Sequence, residues 1–127
     1  NAPLLTQWIL GDSDQADDCL LPDKKHGVAL GISQAAGKGL VRLLNNGRLA
    51  QLLQQMRSKA EYVILDTPPM MAAADVESIA ALVDTAVLVV RADFMPVSAV
   101  NEGLDRLRKS APEVCGFVLN NHRTTIL

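Results

Sequence analysis

The residues best suited to chemistry lie in positions 61–69, where an apolar run ends on an acidic residue and a pair of prolines. Residues 62–65 show no polar alternation, which predicts a strand buried on both faces of a parallel sheet. Pro68 and Pro69 cannot donate to a sheet ladder, so the strand must end just before them. Asp66 is therefore predicted at the carboxyl end of a central strand, where open α/β sheets bind ligands. A carboxylate there is suited to hold Mg²⁺, directly or through water, beside the phosphates of a nucleotide.

Asp66 also has a simpler interpretation as a turn residue, but the prolines force the chain away and leave its carboxylate at the sheet edge. Other residues give weaker signals for a metal site. Residues 12–18 include four aspartates but lack the glycine and final glutamate of a calcium loop, which predicts a solvated loop. His26 and His122 have no partner at ligand spacing.

The composition fits one globular domain and argues against two classes of function. The 127 residues suffice for a single domain, 1–127, which begins with an irregular segment at 1–26. A net charge of −2 and an aromatic content of 3% argue against nucleic-acid binding, since basic surface and stacking platforms are both scarce. No apolar run approaches the roughly 20 residues that span a bilayer, so a protein that works at a membrane would need another component to hold it there. Cys19 and Cys115 are predicted to be reduced structural thiols of a cytoplasmic protein.

Strands and helices alternate along most of the chain. Strands are predicted at residues 28–32, 62–65, 85–90 and 114–119, with the second and third fully buried. Helical spacing predicts helices around residues 49–56, from Asp75 to Val83, and after Ser98. This order predicts right-handed βαβ crossovers and an α/β fold with a Rossmann-like, mostly parallel sheet and flanking helices.

The same spacing predicts which side chains face the core and which cap the helices. Asp75 and Ser98 are the expected N-caps. Shorter helices are expected at residues 3–10 and 40–44, and a turn at 24–27. The helix around residues 49–56 should bury its apolar side chains and expose its polar ones, which are Leu49, Leu52, Leu53 and Met56, and Arg48, Gln51, Gln55 and Arg57.

Five runs of residues together resemble the bacterial tyrosine kinases of capsular and exopolysaccharide synthesis. In order, residues 62–69, 74–75, 82–84, 87–92 and 116–120 read YVILDTPP, AD, LVD, VLVVRA and GFVLN. These kinases are P-loop enzymes related to the septum-site and plasmid-partition ATPases. The resemblance covers roughly residues 40–120, and its most specific part is the aspartate-threonine-proline-proline run.

The resemblance implies site residues, cofactors and partners. Asp66 falls on the Walker B aspartate, which serves the Mg²⁺ of bound ATP. Asn120 falls where relatives place an asparagine near the nucleotide base, although it also suits a turn, and Arg91 and Asp75 fall on recurrent family positions. The family implies ATP-driven autophosphorylation on tyrosine and control of polysaccharide chain length. It also implies a membrane-embedded activator that recruits the kinase to the inner face of the membrane, and assembly into a homo-oligomer is a further expectation.

Two features of the family have no counterpart in the sequence. The phosphate-binding loop G-x-x-x-x-G-K-[ST] and a second acidic motif are expected upstream of Asn1. Residues 37–39 cannot replace the loop, because Ile32 stands where a glycine is needed and Gly39 where a hydroxyl is needed. The family's C-terminal tyrosine cluster is also absent, and Tyr62 is predicted inside a buried strand as a poor phosphoacceptor. We therefore expect the 127 residues to be the C-terminal part of a kinase domain, inactive alone and without bound ATP or Mg²⁺.

Two other functions compete with this interpretation. A non-catalytic nucleotide-fold module for regulation or scaffolding is the first, and the coding sequence before Asn1 should then lack a phosphate-binding loop. A receiver domain of two-component signalling is the second, since its central aspartate and methionine-proline turn superficially match residues 64–70. That domain needs a hydroxyl residue where Arg91 stands and a lysine where Asn120 stands. It also needs an acidic pair after its first strand, which this sequence lacks.

Overall fold

The computed structural model describes residues 5, 8, 11, 13–33, 47–71 and 75–122. The chain forms two compact units, Asn1–Leu65 and Asp66–Leu127, and the single domain expected over 1–127 stays a prediction. The helix predicted at 40–44 and the glycine run at 37–39 lie outside the described residues, as does all but Leu5 and Trp8 of the helix predicted at 3–10. No helix formed by the described residues is long and apolar enough to cross a membrane.

A β-hairpin forms part of the first unit. Strand β1, Leu20–Asp23, pairs antiparallel with strand β2, Val28–Gly31, across the predicted turn at 24–27. The Asp23 carboxylate accepts hydrogen bonds from the backbone N–H groups of Lys25 and His26, at 3.0 and 3.3 Å. Gly27 has a φ of +68°, a conformation that glycine adopts without steric cost. Only β2 was predicted, because Pro22 interrupts the apolar signal of β1.

Helix α1, Arg48–Arg57, confirms the predicted amphipathic helix of the first unit. It buries Leu49, Leu52 and Leu53, whose spacing places them on one face. A short 3-10 helix, Ala16–Cys19, lies in the segment that was predicted to be a solvated loop. Ala16 is completely buried, as is Cys19 just beyond the predicted loop, so the prediction was wrong at Ala16. Asp14, Asp17 and Asp18 are exposed, as predicted.

The buried strand predicted at residues 62–65 is wrong for this structure. The segment is neither helix nor strand, and the side chains of Tyr62 and Ile64 are 79% and 89% exposed. Val63 and Leu65 are half-buried, so exposure alternates as it does in an extended chain. A continuous apolar run cannot reveal whether neighbouring strands are present to pair with it. Among the described residues, no strand pairs with residues 62–65.

The second unit contains the predicted βαβ crossover. Strands β3, Ala86–Arg91, and β4, Val114–Asn120, are parallel and are connected through helix α3, Val97–Ser110. Helix α2, Asp75–Ala80, precedes them and ends before the predicted Val83. The core of this unit brings together residues from both helices and from the loops, namely Met70, Val76, Ala80, Leu107 and Ala111, with Leu88 and Val114 packed against them.

The two strands are not fully buried, contrary to the prediction for β3. Leu88 faces helix α3, where a Cβ on Gly103 would lie 3.6 Å from its Cδ2 atom. The opposite face carries Val87 and Val89 together with Val118, and these side chains are 50%, 63% and 51% exposed. Parallel sheets are normally covered on both faces, but among the described residues only one face has helical cover.

The N-cap predicted at Ser98 is wrong. Helix α3 begins at Val97, Pro96 occupies the N-cap position, and no side chain caps the helix by a hydrogen bond. The ring fixes the φ of Pro96 at −67°, which presets the chain for entry into the helix without a hydroxyl cap.

Candidate functional site

Arg91 and Asn120 lie side by side at the carboxyl end of the parallel pair. They are register partners, and the N–H of Ala92 donates a 2.8 Å hydrogen bond to the Asn120 carbonyl oxygen. The chain turns away directly afterwards on both strands, through Asp93 and Asn121 with φ values of 58° and 59°. The topology thus places these two predicted residues together at the edge of the sheet where α/β proteins bind ligands.

The two side chains make different local contacts. The Arg91 guanidinium carbon lies 5.2 Å from the ring centroid of Phe94, a cation–π distance, and both side chains are exposed. Asn120 Oδ1 accepts a 2.9 Å hydrogen bond from the N–H of Asn121. Asn120 therefore has the turn role that was considered beside base contact, while contact with a nucleotide base stays a prediction.

Asp66 carries an exposed carboxylate in an irregular stretch rather than at a strand end. Among the described residues, this carboxylate forms no hydrogen bond or ion pair. Met70, only 8% exposed, packs in the core of the second unit and anchors the chain shortly after the prolines. The structure leaves Asp66 accessible to a cation, and its role as a magnesium ligand stays a prediction.

Asp75 is the first residue of helix α2 and is half-buried. Glu77, in the same turn, accepts a 2.7 Å hydrogen bond from Arg106 Nε of helix α3 and forms an ion pair with it. Two carboxylates at a helix start are favourable electrostatically, so a structural role already accounts for Asp75. Its predicted part in cofactor binding stays a prediction.

The described residues offer a magnesium ion one carboxylate ligand rather than a complete set of ligands. Among these residues, no group of three or more histidine, cysteine, aspartate or glutamate side chains could hold a metal ion. Magnesium is usually held by one or two carboxylates, water and the phosphates of its substrate, rather than by a cage of protein ligands. Asp66 fits as one such ligand beside a nucleotide that supplies the phosphate oxygens.

A polar cluster around Arg48 was missed from the sequence. Arg48 was predicted to face outward, but its side chain is only 17% exposed. Its Nε donates to the Trp8 carbonyl at 2.6 Å, and its Nη2 donates to the Ser13 carbonyl at 2.6 Å and to Asp14 at 3.1 Å. The guanidinium carbon lies 4.8 Å from the Trp8 ring centroid, and Trp8 Nε1 donates back to the Arg48 carbonyl at 2.9 Å.

Gln55 extends this cluster and was also wrongly predicted to face outward. Its amide accepts from the N–H of Ala16 and donates to the carbonyl of Asp14, both at 2.9 Å. An open cleft of about 730 Å³ adjoins the cluster, lined by Trp8, Asp14, Arg48, Gln51, Gln54, Gln55 and Ser58. The signal in the sequence was a polar stripe at i, i+3 and i+7 of helix α1, beside its apolar stripe.

Comparison with known proteins identifies relatives of part of the chain. No protein-family model matches it. It is 32% identical over 78 residues to a putative tyrosine-protein kinase, EpsB, of Ralstonia nicotianae, and 36% identical over 78 residues to a putative tyrosine-protein kinase in the cps region of Klebsiella pneumoniae. Each match covers 61% of this chain but only 10% and 11% of the relative. The chain thus matches about a tenth of the length of these curated relatives.

A solved structure gives the fold. The kinase domain of the Escherichia coli tyrosine kinase Etk superimposes with a TM-score of 0.80 at 22% identity, covering all of this chain and 51% of that one. The predicted α/β class and the resemblance to a P-loop kinase fold are confirmed. About half of the solved domain has no counterpart in these 127 residues.

Proposed function

We propose that this chain, which is similar over 78 residues to bacterial tyrosine-protein kinases, forms part of an ATP-dependent protein-tyrosine kinase that regulates capsular or exopolysaccharide synthesis. The observation that carries the proposal is the carboxyl edge of the parallel pair, where Arg91 and Asn120 lie in register. The fold of a tyrosine kinase domain favours this proposal over the receiver interpretation, which needs a hydroxyl residue in place of Arg91 and a lysine in place of Asn120.

In this proposal each site residue has a distinct task. The exposed Asp66 carboxylate would hold Mg²⁺ through its hydration shell, and the bound ion would supply positive charge beside the phosphates of ATP. Arg91 would offer a positive group at the sheet edge for phosphate oxygens, and Asn120 would offer an amide for the base. Asp75 supports the start of helix α2. These 127 residues contain no G-x-x-x-x-G-K-[ST] loop, so we propose that they do not turn over ATP alone.

A membrane-embedded activator completes the proposal. Such a partner is what the resemblance to kinases of capsular and exopolysaccharide synthesis implies. We propose that the activator recruits the kinase to the inner face of the membrane. Purification of the kinase from membranes with and without the activator gene tests this.

The experiment that tests the kinase function is an autophosphorylation assay. It uses the product of the complete reading frame with Mg²⁺ and γ-labelled ATP. Asp66→Asn should lower label incorporation by about 100-fold, the scale of removing one electrostatic stabiliser of a phosphoryl transfer. Asp105→Asn is the matched control, because Asp105 is an exposed helical aspartate with only a 3.7 Å pair to Arg108. Equal activity of the wild type and Asp66→Asn contradicts the assignment.

A non-catalytic scaffold module is the second candidate. The observation in its favour is the half-exposed apolar face formed by Val87, Val89 and Val118, which is suited to packing against another polypeptide. A complete reading frame that neither binds nor hydrolyses ATP would favour the scaffold over the kinase.

A further inference from the structure

One side chain of helix α3 contacts the chain on both sides of the link between Asp66 and helix α2. Arg106 Nη1 donates a 3.7 Å hydrogen bond to Met71 Sδ, and Arg106 Nε donates a 2.7 Å hydrogen bond to Glu77 Oε1. We propose that Arg106 is a positioning residue that acts through Glu77 and Met71 to hold the segment carrying Asp66 and Asp75 against helix α3. The inference rests on the proposed function, because it names a residue that supports the same site.

The guanidinium of Arg106 is suited to hold two elements at once. Its N–H donors lie in one rigid plane, so bonds from Nε and Nη1 fix the orientation of the group as well as its distance. The side chains of Arg106 and Glu77 are only 28% and 39% exposed, so solvent screens their attraction less than at an open surface. The Met71 thioether is a weak acceptor, and the charged bond to Glu77 is therefore the stronger of the two.

The apolar core lies beside these polar contacts. Each of the three residues that make them has a sequence neighbour in the core, and these neighbours are Met70, Val76 and Leu107. The core thus brings both helices and the chain after the prolines together, and the bonds of Arg106 restrict how that chain shifts along helix α3. All of these contacts join described residues of the second unit, so they do not depend on what covers the open face of the sheet.

A positioning role predicts an effect on the metal that a loss of stability does not produce. Without Arg106, the Asp66 carboxylate should occupy several positions and bind hydrated Mg²⁺ more weakly. A variant that is merely less stable has fewer folded molecules, but each of them keeps the normal affinity for Mg²⁺. The Mg²⁺ concentration that gives half the maximal rate therefore separates the two roles.

The first test measures autophosphorylation of the complete gene product over a series of Mg²⁺ concentrations at fixed ATP. Arg106→Met keeps the apolar stem and should raise the half-saturating Mg²⁺ concentration about 10-fold, the scale of losing a residue behind a metal ligand. Arg108→Met is the matched control and should leave the value unchanged, because Arg108 is an exposed arginine of the same helix with a long ion pair of 3.7 Å. An Arg106→Met protein with the wild-type value overturns the inference.

A double variant tests whether Arg106 acts through Glu77. Glu77→Gln alone should raise the half-saturating Mg²⁺ concentration by about 3-fold or more, because it removes the charge that Arg106 binds. The double variant should lie within about 2-fold of Arg106→Met, since both changes break the same contact. A wild-type value for Glu77→Gln, or two effects that multiply in the double variant, contradicts the proposed route.

The second test needs neither ATP nor Mg²⁺. Hydrogen exchange of the complete gene product, followed by mass spectrometry, reports on the N–H groups of helix α2 and of Ala81 and Leu82, which bond to its carbonyls. Exchange there should be about 5-fold faster in Arg106→Met than in the wild type or in Arg108→Met, while strands β3 and β4 stay within about 2-fold. Equal acceleration in the helix and the strands would show a loss of overall stability and overturn the inference.

The proposed function and this inference fail separately. Asp66→Asn is measured in the same Mg²⁺ series, and wild-type behaviour of that variant contradicts the role of Asp66 itself. Impaired Asp66→Asn together with a wild-type value for Arg106→Met leaves the proposed function in place and overturns only the positioning role. A gene product without autophosphorylation overturns both.

Discussion

The two compact units of this chain are stabilised by different physics. In the first, Asn1–Leu65, the partly buried cation of Arg48 binds two carbonyl oxygens, a carboxylate and the face of Trp8. In the second, Asp66–Leu127, an apolar cluster that includes Met70 and Leu107 packs two helices and two parallel strands. The predicted site residues all lie in the second unit. Apolar periodicity can be recognised in a sequence, and it predicted the helices and the parallel strands. A polar cluster between residues far apart in the sequence leaves no such pattern, and the cluster around Arg48 was not predicted.

The largest effect is expected in the apolar core of the second unit. Leu107→Ala should lower the free energy of unfolding by about 3 kcal/mol, because Leu107 is only 5% exposed and its loss leaves a cavity. Urea unfolding followed by circular dichroism measures this. Val97→Ala, at a side chain 76% exposed, is the control and should change stability by less than about 0.5 kcal/mol. Equal effects of the two variants would show that this cluster is not the core.

The two free thiols give a contrast between the units in one experiment. Cys19 is completely buried in the first unit, whereas Cys115 is exposed in the second. Burial is the main cause that raises the pKa of the Cys19 thiol, so its reactive thiolate is disfavoured as well as inaccessible. Iodoacetamide should modify Cys115 about 100-fold faster than Cys19 in the native protein, and at similar rates in denaturant. Peptide mapping measures both, and similar native rates would mean that the first unit is open.

The polar cluster of the first unit should contribute less than the apolar core. Arg48→Met keeps the apolar stem but removes three donor contacts and the cation–π contact, which should cost about 2 kcal/mol. Trp8 is the single tryptophan, so its fluorescence reports on this unit alone. Arg108→Met is the matched control, since Arg108 is exposed and its ion pair is long at 3.7 Å. A loss no larger than that of the control would contradict the stabilising role of the cluster.

The smallest effect is expected from the hairpin turn. The side-chain hydrogen bond with His26 is the main cause that lowers the pKa of Asp23 below its ordinary value of 3.8. The unfolded pKa is the higher one, so this contribution is present above it and is lost as the pH falls through the folded pKa. Asp23→Asn should therefore be less thermally stable than the wild type at about pH 5.5 and should converge with it in acid, once the pH falls below the lowered folded pKa. A difference that persists in acid would show that the Asp23 charge is not its source.

Much of the second unit was predictable from the sequence because its signals are local. The apolar patterns of residues 75–83, 85–90 and the segment after Ser98 predicted the helix, strand and helix that the structure contains at 75–80, 86–91 and 97–110. Parallel pairing then brings Arg91 and Asn120 to one edge, so this half of the candidate site follows from topology alone.

The remaining features depend on which other segments are nearby. Residues 62–65 have the apolar character of a buried strand, yet burial also requires neighbouring strands, and the described residues supply none. Arg48 was predicted to face solvent because its hydrogen-bond partners lie 34 to 40 positions away in the sequence. Asp66 was predicted at the end of the strand 62–65, which the structure does not contain. The exposure of its carboxylate could therefore be predicted, but its place in an irregular stretch could not.

The central claim is that Asp66 supplies the carboxylate for the Mg²⁺ of bound ATP. Isothermal titration of ATP into the complete gene product, with and without Mg²⁺, tests it most directly when repeated on Asp66→Asn and Asp105→Asn. The account predicts that Asp66→Asn weakens ATP binding by about 10- to 100-fold when Mg²⁺ is present and leaves it unchanged when Mg²⁺ is absent. Asp105→Asn should bind ATP like the wild type under both conditions. An Asp66→Asn protein that binds Mg-ATP with wild-type affinity would contradict the claim.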